Sequence, residues 1–147
     1  MLSVLSVLSV DQKNNMKPDK MIDIINRTLA DFPEVRFCTL FGSAAQGRLT
    51  AHSDIDIAVA AQRKLTPEYK VRLSHTLSSA LKREVDLVDL QEVSGLILEQ
   101  ALCKAVIVKN DDHELYARLL KRLWYNQSDM MPYVKQILEQ RSSNWLQ

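Results

Sequence analysis

The sequence predicts an α+β (mixed α/β) fold, on three observations. Apolar residues recur at helical spacing in some segments and alternate in others, the two kinds of segment alternate along the chain, and the short ones are rich in β-formers. At 147 residues the chain is long enough for one domain with an ordinary core. Its 46% hydrophobic and 25% charged residues are those of a soluble globular protein. A net charge of +1 without any Lys/Arg-rich tract argues against a surface built to grip nucleic acid.

Residues 1–16 open with Leu-Ser-Val three times in tandem, which reads as a flexible or added leader, with Met16 or Met21 as possible true starts. The tract lacks the positive start and cleavage site of a secretory signal and is too short to span a bilayer, so no membrane is expected and the cytoplasm is the expected location. The single domain is expected over 17–147. From Pro18 to Phe32, Met21, Ile22, Ile25, Leu29 and Phe32 mark a helix with proline in its first turn, and Pro33 ends it. Val35 to Phe41 and Asp54 to Ala60 read as strands. Thr66-Pro67-Glu68 opens a helix with a hydroxyl cap, a proline and an acid at its positive end, and that helix runs to about Lys82. Glu84 to Leu90 is a third strand, Glu92 to Cys103 a helix and Ala105 to Lys109 a fourth strand. Two more helices, Asp111 to Asn126 and Met130 to Trp145, make a helical extension over 111–147. It carries Tyr116, Trp124, Tyr125, Tyr133 and Trp145, which either pack on the sheet or form a partner surface.

Chemistry concentrates in two short stretches. In Asp54-Ile55-Asp56-Ile57, strand alternation sends both aspartates to one face and both isoleucines to the other. Two carboxylates so placed repel each other unless a divalent cation sits between them, and Mg²⁺ favours carboxylates combined with substrate phosphates. Ten residues upstream, Gly42-Ser43 follows an apolar strand, where glycine permits a sharp turn and the amides opening a short helix can hold phosphate oxygens. In Glu84-Val85-Asp86-Leu87, Asp86 joins the two aspartates if Val85 and Leu87 pack inward, while Asp89 reads as a structural turn former. Cys38 and Cys103 lie among apolar neighbours as free thiols, and His52, His75 and His113 fit no zinc pattern.

The spacing Gly42-Ser43, ten residues, Asp54-Ile55-Asp56 resembles the signature of the DNA polymerase β-like nucleotidyltransferase superfamily. The resemblance implies a small mixed sheet with helices on one face, here followed by the two tail helices. It covers about Val35 to Lys109, and the chain's small size resembles the minimal nucleotidyltransferase (MNT) family, whose members act as antitoxins of HEPN-domain toxins. Carried over, the pattern makes Gly42 and Ser43 triphosphate-binding, Asp54 and Asp56 ligands of two Mg²⁺ ions, and Asp86 the third acid, both metal ligand and general base. Many members carry basic residues directly after Gly-Ser and again two residues on. This chain has Ala44 and Gln46 there, and Arg48 is the nearest substitute.

The implied function is transfer of AMP from ATP to a hydroxyl of the cognate HEPN ribonuclease toxin, with tyrosine the expected acceptor. Two other readings stand beside it. A small-molecule enzyme of the antibiotic-modifying kind would need an acceptor-binding domain, for which the tail after Asn110 is short. A non-catalytic antitoxin that neutralises by binding would not need the intact acids.

Overall fold

The computed structural model describes residues 16–50 and 52–126, together with Ile137 and Gln140. Its elements follow in the order α1 (Pro18–Leu29), β1 (Phe37–Phe41), α2 (Gly42–Ala45), β2 (Ile55–Ala60), α3 (Pro67–Leu81), β3 (Val85–Asp89), α4 (Gly95–Cys103), β4 (Val106–Asn110) and α5 (His113–Asn126). The strands form one sheet in the order β3-β2-β1-β4. β1 is antiparallel to both β2 and β4, whereas β2 and β3 run parallel, joined through α3. The mixed α/β class and all four expected strands are present.

The start of α3 follows from local chemistry. The Thr66 hydroxyl accepts the Tyr69 amide at 3.2 Å, and Pro67 takes the first helical position, where its missing N–H costs nothing. Leu73, Leu77 and Leu81 then fall on one face and bury against Met21, Ile25 and Leu29 of α1 and Cys38, Leu40, Ile55, Ile57 and Val59 of the sheet. α4 starts at Gly95 rather than at Glu92, because the intervening residues turn. The Asp89 carboxylate shapes that turn, accepting the Gln91 amide at 2.9 Å and the Leu65 amide at 2.8 Å. Asp89 is 1% exposed, and its work is structural, as expected.

The layering corrects one expectation: helices cover both faces of the sheet rather than one. Phe37, Phe41, Ala58 and Ala60 point away from α1 and α3, and such apolar side chains need cover of their own. α4 supplies Leu98, Ala101 and Leu102, and α5 supplies Leu115, Tyr116, Leu119, Leu120 and Leu123. Tyr116 stacks on Phe37 at 4.8 Å between ring centroids. α5 is therefore a packing element of the sheet, and Ile137 also rests on this second core. The helix expected over Met130 to Trp145 otherwise lies outside the described residues, as do Tyr133, Trp145 and the leader over 1–15.

One buried hydrogen bond seats α4. Thr39 of β1 is fully buried and donates its hydroxyl to the Ala101 carbonyl at 2.7 Å. Thr39→Val keeps the shape but leaves that carbonyl without its donor, so a loss of about 1–3 kcal/mol is expected. A shift of the urea midpoint at unchanged slope measures it.

Candidate active site

β1 ends at Phe41 and the chain turns at Gly42 into the single turn of α2. Gly42 has φ +70, in the left-handed region that side chains disfavour, and a Cβ built there would lie 2.3 Å from Asp56 Oδ2. Glycine is thus required twice at this position. The turn reaches Asp56 because Phe41 and Asp56 are paired in the antiparallel register of β1 and β2.

The parallel register of β2 and β3 pairs Asp56 with Asp86, which puts their side chains side by side on one face. Asp54 stands one residue before β2 and is exposed, as is Asp86, while Asp56 is half-buried. Burial raises the Asp56 carboxyl above the ordinary carboxylate range, and the negative charges of Asp86 and then Asp54 raise it further. Of the three acids, Asp86 and Asp54 each lie close enough to repel the charge of Asp56. They share the sheet face on which α4 and α5 pack, but that cover begins at Ala58. The face expected to be open is open at this one end.

Oxygen donors of this kind suit Mg²⁺, and the repulsion of Asp56 by Asp86 and Asp54 is what a cation would relieve. Among the described residues no three His, Cys, Asp or Glu side chains are gathered tightly enough to hold a metal ion alone.

Beside the turn opens a cleft of about 490 Å³ lined by Gly42, Ser43, Gln46, Arg48, Gln100 and Lys104. Gly42 is its junction with the acids, through the contact with Asp56. Gly42, Ser43 and Arg48 are thus brought together as expected from the sequence. Gln100 and Lys104 were not expected; they arrive from the far end of α4, and no local pattern links them to a turn more than fifty residues earlier. Arg83 was missed for the same reason. Its guanidinium donates to the Ser53 carbonyl at 2.5 Å and to the Thr50 carbonyl, holding the loop that delivers Asp54. A second cleft, of about 340 Å³, lies between α3 and β3 and touches Asp86, Lys70 and His75.

The remaining reactive groups take no part. Burial pushes the Cys38 thiol up to about 12 and the Cys103 thiol up to about 11, so both stay protonated. His52 and His75 are exposed and, among the described residues, join no cluster that could hold a metal.

The model of the family described as "Polymerase beta, Nucleotidyltransferase" matches residues 23–114, more than half of the chain. The chain belongs to this nucleotidyltransferase family. The protein adenylyltransferase MntA of Shewanella oneidensis is 38% identical over 96 residues, which cover 64% of this chain and 69% of that protein. A crystal structure of a toxin–antitoxin with AMP-PNP contains a chain that matches at a TM-score of 0.64 with 29% identity, covering 80% of this chain and 98% of that one. The structure of a tri-AMPylated Shewanella oneidensis HEPN toxin in complex with its MNT antitoxin matches at a TM-score of 0.59 with 28% identity, over 82% of this chain and 98% of that one. The likeness to a polymerase β-type enzyme, read from Gly42-Ser43 and the aspartates, is borne out, and an enzyme is the assignment that follows.

For this nucleotidyltransferase, Gly42→Ala is the most damaging small substitution expected at the site. The left-handed conformation alone costs an alanine about 1–2 kcal/mol, and the methyl must also displace Asp56. Both a lowered melting temperature and loss of nucleotide transfer are expected, read by thermal unfolding and by incorporation of labelled AMP.

Proposed function

We propose that this nucleotidyltransferase transfers AMP from ATP to a hydroxyl of a HEPN-domain toxin, with tyrosine as the acceptor, and so acts as its antitoxin in the cytoplasm. The observation that carries the reading is the junction at Gly42, where a cleft with two cations meets three carboxylates. An anionic triphosphate fits the first part and its cation the second. The resemblance to MntA and to a chain from a complex with an AMPylated HEPN toxin supports the choice of a protein acceptor. Among the described residues no helix is long and apolar enough to cross a membrane.

In this reading Ser43 donates its hydroxyl to the triphosphate, and Gly42 lets the phosphates approach the backbone without a side chain in the way. Arg48 offsets part of the phosphate charge from the rim of the cleft. Asp54, Asp56 and Asp86 would hold Mg²⁺, which when bound polarises the phosphoryl oxygens and steadies the charge that builds on them. Asp86 takes the proton from the acceptor hydroxyl. The hydroxyl oxygen then bonds to the α-phosphorus, the bond from that phosphorus to the β-phosphate oxygen breaks, and pyrophosphate leaves with the electron pair. Arg83 acts through the backbone of the loop before Asp54, which it holds at the Thr50 and Ser53 carbonyls.

The test is Asp54→Asn with Asp56→Asn, co-expressed with the HEPN partner. Intact-mass spectrometry should find AMP on the partner with the wild-type chain and none with the variant, whereas an equally modified partner would remove these residues from catalysis. The variant should remain folded. Charged Asp56 is disfavoured in the folded protein, and that penalty is present at pH above its raised value and absent below the ordinary 3.8. In chelator the variant is therefore expected to melt no lower than the wild type at neutral pH, with any advantage fading as the pH falls.

A further inference from the structure

The turn that faces the phosphates carries little charge of its own, since Gly42-Ser43 is followed by Ala44, Ala45, Gln46 and Gly47. The opposite wall of the cleft is different. Gln100 and Lys104 are four residues apart, so the end of α4 presents both on one side, across from Gly42 and Ser43. Among the described residues, the charged ones lining this cleft are Arg48 and Lys104, and no carboxylate is among them. We propose that Lys104 is a triphosphate-binding residue, supplying from α4 the positive charge that the turn lacks. This rests on the nucleotide reading above and extends it to a residue outside the signature.

Two contacts keep Lys104 in place for that task. The Thr39 hydroxyl bond to the Ala101 carbonyl, 2.7 Å long and buried, fixes the last turn of α4 against β1, the strand that ends at Gly42. Behind Lys104, the Glu99 side chain is only 10% exposed, and its carboxylate lies 3.9 Å from the Lys104 ammonium. That distance orients a charge but is too long for a hydrogen bond, so this pairing leaves the ammonium donors available. The Lys104 side chain is 56% exposed, so it can follow a ligand without disturbing the core. An ammonium on a flexible stem binds phosphate as a point charge, which suits a tail whose oxygens shift as pyrophosphate departs.

The experiment is calorimetric titration of wild type, Lys104→Ala and Lys104→Arg with Mg·ATP and with AMP at one salt concentration. Loss of a charged contact predicts that Lys104→Ala weakens Mg·ATP binding by about tenfold, leaves AMP affinity unchanged, and is largely rescued by Lys104→Arg. Inorganic tripolyphosphate should compete with ATP on the wild type and compete less well on Lys104→Ala. Equal ATP affinities in wild type and Lys104→Ala would overturn the proposal, as would an equal loss for ATP and AMP, which marks a structural role. A wild-type chain that binds no Mg·ATP would overturn the nucleotide reading itself, and that result is visible before any variant is made.

Discussion

The absence of one β-carbon holds the site together. At Gly42 the backbone of the β1–α2 turn passes so close to Asp56 that a Cβ would overlap its carboxylate. That approach brings the β1–α2 turn and the acids together. It depends in turn on the antiparallel register that sets Phe41 opposite Asp56, and on the parallel register that sets Asp56 beside Asp86. Sheet topology therefore does chemical work, since a slip of one residue in either pairing would send Asp56 to the wrong face.

Both faces of the sheet contribute to that geometry. α1 and α3 bury Ile55 and Ile57, the residues between and beyond the aspartates, and so fix which way the aspartates point. On the other face α4 and α5 cover the sheet up to Ala58 and stop short of Asp56, leaving the acids room for a ligand. The same α4 carries Gln100 and Lys104 to the cleft. The site is thus an uncovered end of an otherwise two-sided core, where the half-buried Asp56 is repelled by the exposed Asp86 and Asp54.

What could be read from the sequence was what depends on near neighbours. Alternation in Asp54-Ile55-Asp56-Ile57 was enough to assign faces, Thr66-Pro67 marked the start of α3, and glycine after an apolar strand marked the turn. Asp86 could be paired with the other acids because β3 alternates as β2 does. The contributions of Lys104 and Arg83 could not be read, because each is set by a tertiary contact across a long stretch of chain. The second helical layer was hidden for a related reason. Ala58 and Ala60 are small enough to sit on either kind of surface, and their burial is decided by α4 and α5 rather than by their own pattern.

In the proposed function the acids and the turn form a single Mg-nucleotide site, in which metal and phosphate each complete the other's binding. Thermal unfolding of the wild-type chain with Mg²⁺ alone, ATP alone in chelator, and both together tests this most directly. Little change is expected with either one and a clear rise in melting temperature with both, because the cation would relieve the repulsion of Asp56 by Asp86 and Asp54 while the phosphates complete its coordination. Stabilisation by ATP in chelator equal to that with Mg²⁺ present would contradict it.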